Sequence, residues 1–331
     1  MNPFQYASPL KLEDAVGLLG DRWGEAEVLA GGTDLVTSLK QEIVAPKRVI
    51  SLKGVEGLAG IEVSAEEVKI GAMTTLAEIA EDAEMRKHFP SITHAIEGIG
   101  SPQIINMATL GGNLCQRPRC WYFRQGFGLL GQQDGKPLIP GGDNRYHAIF
   151  GNQGPAYFVN PSSLAPALVA LGATLSIAGP GGQTRQLEVA KFYRVPQRAD
   201  EREYGLQSNE VVTQVTIPLA GLVNATYKVR ERCGLDWPLV TASVAIDDPA
   251  KVGRASVVLG FVAPTPWPVP RAAEVLQGKR LDEALAAQVG EVASQGATPL
   301  SRNAYKVPLV RAAVKRALLI AAGLMEANAH V

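Results

Sequence analysis

The sequence predicts an α+β protein of two or three packed domains. Three observations point there. The chain has 331 residues, 46% of them hydrophobic, more than a single core absorbs. A strand, a glycine turn and a helix follow one another near the N-terminus, the start of a small α/β unit. Toward the C-terminus a run of strands gives way to a run of helices, the order expected of a sheet faced by helices.

In chain order, residues 27–30 read as a short strand, Gly31-Gly32-Thr33-Asp34 as a turn, and residues 35–42 carry helical spacing. Residues 49–52 form a second strand, and 61–72 alternate across a charged turn like a hairpin. Two amphipathic helices are predicted over 75–98. An irregular stretch over 101–113 follows, then a long loop rich in Gly, Pro and Arg that runs to Asn152. Loops of that length in compact chains are functional or docking elements more often than filler. Residues 164–171 read as a helix, and 174–177 and 211–217 as strands. A boundary falls at 218–223, after which 226–230, 240–246 and 255–262 are strands and 271–277, 281–293 and 304–328 are helices. No repeat or low-complexity tract occurs.

Composition excludes several function classes. Lys+Arg and Asp+Glu both total 32, so no global field favours nucleic acid or an anionic membrane. The N-terminus, Met1-Asn2-Pro3-Phe4-Gln5-Tyr6, lacks the basic start and apolar core of a secretory signal. The uncharged apolar stretch 164–178 contains Pro166 and Gly172 and falls short of the ~20 residues of a membrane helix. Cys115, Cys120 and Cys233 without a signal argue for free thiols in a reducing compartment. That makes the cytoplasm the expected location, or the periplasm if a partner carries an export signal. His88, His94, His147 and His330 form no pair with zinc-ligand spacing.

Four segments are candidates for chemistry. In Val28-Leu29-Ala30-Gly31-Gly32-Thr33-Asp34-Leu35 two glycines let backbone approach a ligand, leaving amides outward for phosphate oxygens. Thr33 adds a hydroxyl and the next helix its positive end; the plainer alternative is a turn with Asp34 as helix cap. Thr109-Leu110-Gly111-Gly112-Asn113 offers a second such loop, and two glycine loops suit one pyrophosphate without Lys or Arg. Gly126-Phe127-Gly128-Leu129-Leu130-Gly131 fits a dinucleotide pattern, but Gly135 and Pro137 forbid the helix it requires. Over residues 227–232, period two puts Lys228, Arg230 and Arg232 on one strand face, either a solvated face or a cationic one for an anionic cofactor.

Together, the two glycine loops, the Asn160-Pro161-Ser162-Ser163-Leu164-Ala165-Pro166-Ala167-Leu168 segment and the Tyr-Lys-Val-Arg-Glu-Arg strand resemble a known family. It is that of the FAD-binding, medium subunits of the xanthine dehydrogenase and carbon monoxide dehydrogenase class. The resemblance spans essentially the whole chain. It implies a two-lobed, vanillyl-alcohol-oxidase-like FAD-binding domain, with lobes 1–60 and 61–220, followed by a CO-dehydrogenase-flavoprotein-type α+β domain over 221–331. Carried over residue by residue, FAD contacts fall on Val28, Leu29, Ala30, Gly31, Gly32, Thr33, Asp34 and Leu35, on Thr109, Leu110, Gly111, Gly112 and Asn113, and on Lys228, with Ile99 and Val212 beside them. Ser163 stands where relatives have an aspartate that hydrogen-bonds the flavin; a hydroxyl still makes one bond there.

Residues 112–124 resemble the aldehyde oxidoreductase branch, whose inserted segment, here 115–155, binds an extra [4Fe–4S] cluster through four cysteines. Cys120 matches one of these. Residues 126–142 hold no cysteine, and Gly154-Pro155-Ala156 stands where another is expected, so the resemblance implies a retained loop without iron. The class implies an electron-transfer role, with molybdopterin on a large partner and [2Fe–2S] centres on a small one, docked partly through residues 117–124. A stand-alone FAD oxidase and a flavin-free scaffold are the rival readings.

Overall fold

The computed structural model describes residues 1–232 and 236–327. Cys233 and His330 lie outside the described residues.

Three main sheets organise the chain. The first is parallel, with Arg48–Ser51 between Gln5–Ala7 and Ala26–Leu29. Parallel neighbours need crossovers, and the chain between these strands carries the helices Leu12–Gly17 and Leu35–Lys40. The second sheet is antiparallel, ordered Ile61–Val63, Glu67–Gly71, Val211–Pro218, Thr174–Ala178, Thr184–Glu188. Its central strand is rich in β-branched residues, which suit a pleated surface covered on both sides. The third sheet joins Val223–Val229, Val240–Ile246, Ala255–Gly260 and Trp267–Pro268, all antiparallel. Every residue of Val240–Ile246 is buried. Lys306–Ala321 and Glu283–Ala293 build the core on one side of this sheet, and Pro90–Ile96 and Ala165–Ala170 press on it from the second unit. The α+β class read from the sequence is what the molecule shows.

The structure corrects several local readings. The stretch read as two helices is three, Leu76–Glu81, Ala83–His88 and Pro90–Ile96. Asp82 sits in extended geometry and its carboxylate caps Met85 N at 2.8 Å, while Pro90 restarts the chain at the next break. Apolar spacing carries through both breaks, which hides them. The stretch 101–113, read as irregular, contains Pro102–Ile105 and the start of Leu110–Cys115. The polar edge strand Thr184–Glu188 has no apolar alternation strong enough to announce it. Gly126, Gly128 and Gly131 all have positive φ and lead into a two-residue hairpin rung, Gln132–Gln133 with Lys136–Pro137, rather than a helix. Among the described residues, no helix is long and apolar enough to cross a membrane.

One buried amide ties the helical layer of the second unit to the third sheet. Asn224 accepts from Ser91 N at 2.9 Å and donates to His88 O at 2.9 Å and Leu222 O at 2.8 Å. Removing it leaves a buried N–H and carbonyl unpaired, each costly in a water-free joint. Asn224→Ala is expected to lower unfolding stability by about 2–3 kcal/mol, read as a lower urea midpoint; an unchanged midpoint refutes that role.

Candidate cofactor-binding site

The first glycine turn follows the strand Ala26–Leu29 and opens the helix Leu35–Lys40. Gly32 has φ +82, a conformation L side chains avoid. Gly31 is required for a different reason: a Cβ there would lie 1.6 Å from the Met107 carbonyl oxygen. The turn therefore rests directly on the backbone just before the second glycine segment. Among the described residues, the amides of Gly31, Gly32, Thr33 and Asp34 find no acceptor. They form a row of free donors at a bend, the arrangement that receives phosphate oxygens.

The second segment departs from its reading as a loop. Thr109 caps the helix Leu110–Cys115, its hydroxyl accepting from Gly112 N at 3.1 Å. The cap takes the Gly112 amide, and backbone carbonyls take the others. Leu110 N donates to Thr74 O, Gly111 N to Ala72 O and Asn113 N to Thr109 O. Gly111 packs on Ala72, where a Cβ would come within 2.9 Å, and Gly112 faces Ala30. The pair of amide cradles expected from sequence is thus one cradle and one bare backbone surface. Asn113 is committed as well, accepting from Ser162 Oγ at 2.7 Å and Leu164 N at 3.4 Å. Next to it Ser163 is buried and lines the outer pocket.

Two chambers meet at this junction, sharing Thr33, Asp34, Gly112 and Gln116. The inner chamber is lined by Val28, Ala30, Gly31, Gly32, Leu35, Thr109, Gly111 and Val212 together with Trp23, Met73, Arg117 and Tyr204. The outer one is lined by Ile99, Asn113, Ser163 and Lys228 with Arg119 and Arg230. Of the residues carried over as FAD contacts, Leu29 and Leu110 line neither chamber; Leu110 is buried in the core and Leu29 packs beneath Gly32. Arg232, read onto the strand face of Lys228, lies beyond the end of Val223–Val229 and lines neither. Trp23 and Tyr204 gave no sequence signal, because only the fold joins them to the chamber.

Charge is handled in pairs. Asp34 makes no cap bond with its side chain. Its carboxylate instead accepts from Arg117 N at 2.8 Å and pairs with Arg124 at 2.9 Å and Arg119 at 3.2 Å. Arg117 reaches Glu203 at 2.5 Å, and Arg202 joins Glu27 at 3.0 Å while lying over Trp23. Burial pushes the Glu27 carboxyl up to about 7, opposed by Arg117. The side chains of Arg117, Arg119 and Arg124 in the inserted segment are thus paired within the chain. Lys228 donates to Ala95 O at 3.2 Å and to Glu97 O, and burial, aided by Arg230, brings its ammonium down to about 7.

A family model described as the FAD binding domain in molybdopterin dehydrogenase matches residues 2–220, and one described as the CO dehydrogenase flavoprotein C-terminal domain matches 225–321. The chain is 32% identical over 296 residues to the aldehyde oxidoreductase FAD-binding subunit PaoB of Escherichia coli, covering 86% of this chain and 88% of that one. It is 28% identical over 325 residues to the carbon monoxide dehydrogenase medium chain of Afipia carboxidovorans, covering 95% and 96%. A chain of quinoline 2-oxidoreductase from Pseudomonas putida 86 superposes with a TM-score of 0.74 at 25% identity over 98% of both chains.

Gly31→Ala drives a methyl into the Met107 carbonyl and is expected to cost about 3 kcal/mol. Gly17→Ala, with nothing within 4 Å of the added carbon, serves as the control and should shift stability by no more than about 1 kcal/mol. Comparing the two melting curves checks the contact; equal Tm values would mean the two backbones do not meet as described.

Proposed function

The chain belongs to the FAD-binding subunits of the molybdopterin dehydrogenases, and on that premise we propose that it holds one FAD along the two chambers. There it serves as the electron-transfer subunit of a molybdenum hydroxylase of the aldehyde oxidoreductase kind. The observation that carries the reading is the row of unpaired amides at Gly31, Gly32, Thr33 and Asp34, set where the chambers join. A diphosphate there is neutralised by amide dipoles and leaves one end of the cofactor for each chamber. The inner chamber, walled by Trp23, Val28, Met73 and Val212, suits adenine. The outer one suits the isoalloxazine, with Lys228 as cation, the Ser163 hydroxyl as a hydrogen-bonding group and Ile99 as an apolar contact.

Bound FAD supplies two-electron redox chemistry. The protein's part is to bind, orient and set charge. Lys228, fixed by the Ala95 and Glu97 carbonyls, puts a positive charge at the ring edge when protonated. Ser163 replaces a carboxylate with a neutral group, so no fixed negative charge faces the ring from that side.

Partner subunits carrying molybdopterin and [2Fe–2S] centres complete the electron path; support comes from relatives named as FAD-binding subunits and medium chains. The inserted segment carries no [4Fe–4S] cluster in this reading. Cys115 and Cys120 supply at most two thiolates from this segment, fewer than the four a cluster takes. Among the described residues, no group of three or more His, Cys, Asp or Glu is arranged to hold a metal.

Purified chain should show a flavin spectrum without stoichiometric iron, whereas about four irons per flavin overturns the cluster assignment. FAD titrations test Lys228. An anionic cofactor binds best while that ammonium is charged, so affinity should fall as pH rises above about 7, approaching tenfold for each unit of about 1 in pH until the bound-state pKa is passed. Lys228→Met should bind FAD more weakly at pH below that range and lose the slope; a slope retained in Lys228→Met assigns it elsewhere.

A further inference from the structure

A diphosphate at the junction of the chambers is only half provided for by amides. Those of Gly31, Gly32, Thr33 and Asp34 form one open row, while the second glycine segment has spent its own on Thr109, Thr74 and Ala72. One short row of dipoles suits one phosphate. The other phosphate carries its own negative charge and needs donors from a different part of the wall.

Arg117 is placed to supply them. Among the described residues it is the one basic side chain lining the inner chamber. The carboxylates on that wall are already answered, Glu27 by Arg202 at 3.0 Å, Glu210 by Arg185 at 2.7 Å and Asp34 by Arg124 and Arg119. Arg117 N donates to the Asp34 carboxylate at 2.8 Å, which sets its main chain beside the last residue of the amide row. Its guanidinium is gripped by one nitrogen. Nε donates to Glu203 at 2.5 Å, and the Phe123 ring lies 5.0 Å away. Glu203 is 2% exposed and does not itself line the chamber. Among the described residues neither Nη nitrogen has an acceptor, and neither is one of the enclosed polar atoms that lack a partner. The open end of the fork is therefore accessible. Arg124, by contrast, spends Nε on Pro118 O, Nη1 on Ser38 and Nη2 on Asp34. Paired Nη–H groups in one plane match two oxygens of a phosphate.

We propose that Arg117 binds the adenosine-side phosphate of the cofactor, in place of the second amide cradle. The proposal rests on the FAD reading above and adds to it a binding residue from the inserted segment. The amide row takes the flavin-side phosphate, and the guanidinium takes the one that enters the inner chamber. Glu203 is a positioning residue, holding the fork by Nε and leaving both Nη nitrogens to the ligand.

The test titrates the purified full chain, freed of bound nucleotide, with FAD, ADP and adenosine at low and high salt. Flavin fluorescence reads FAD, and the rise in Tm reads the other two. Arg117→Met combined with Glu203→Gln removes both charges of the pair, so no buried carboxylate is left alone; Arg117→Lys keeps the charge without the fork. The double variant should weaken FAD and ADP by about tenfold or more and flatten their salt dependence, with Arg117→Lys intermediate and adenosine unaffected. Unchanged ADP affinity in the double variant, or adenosine weakened by the same factor as ADP, overturns the proposal. If the double variant does not fold, Arg117→Lys decides, and ADP bound by it as tightly as by the unaltered chain overturns the proposal too. FAD bound equally well by every variant sinks the role of Arg117 and leaves the flavin reading standing. An unaltered chain that binds ADP through Arg117 but not FAD does the reverse, and one that binds neither sinks both.

Discussion

The junction of the two chambers depends on a contact in which no side chain intervenes, the Gly31 backbone against the Met107 carbonyl. Packing two main chains at that distance brings the parallel three-stranded unit and the second unit together at a single waist. The waist then decides where ligand donors exist. On one side the turn after Leu29 leads into the helix Leu35–Lys40, and the amides of Gly31 to Asp34, ahead of its first turn, stay unpaired among the described residues. On the other side the Thr109 hydroxyl takes the Gly112 amide while the Thr74 and Ala72 carbonyls take those of Leu110 and Gly111. A single row of open amides facing a closed backbone wall is the outcome.

Asp34 extends the same logic to charge. Lying at the waist, it would present a carboxylate to any incoming diphosphate, an unfavourable approach in a half-buried site. The inserted segment removes that conflict. Arg124, Arg119 and the Arg117 amide converge on the carboxylate, while the Arg117 side chain continues to Glu203. Surface ion pairs contribute little, but a converging, largely buried set of charge-assisted bonds fixes geometry. The segment seats itself on the first unit through Asp34, and within it Trp121 is held by the Tyr146 ring and the Asp143 carbonyl.

What the sequence made legible were features fixed by local rules. Gly31-Gly32 after a strand, apolar runs for the central strands, and the alternation that aligns Lys228 with Arg230 are all short-range patterns. Helix breaks at Asp82 and Pro90 were missed because periodic apolar residues continue through them. The helical state of Gly111 and Gly112 was missed because a Gly-Gly pair disfavours helix by propensity, and here Thr109 and the packing on Ala72 override it. The Arg117–Glu203 and Arg202–Glu27 pairs join residues far apart in the chain. No spacing rule reaches that far, so the inner chamber's charged side was invisible until the fold closed it.

Lys228 and Lys306 show why burial alone does not define a site. Both are brought down to about 7 by burial, and both donate to backbone carbonyls. Carbonyl oxygens favour the ammonium form, so each lysine is held by dipoles rather than by a carboxylate partner. What separates them is the space beyond the nitrogen. Lys306 ends in carbonyls at the floor of the third sheet and is enclosed by protein, so its charge has nothing to act on but the backbone it staples. Lys228 stands at the edge of the outer chamber, where any anionic group that enters completes its shell. The same side chain, equally desolvated, is a structural pin in one place and an electrostatic handle in the other, and it is the cavity that decides which.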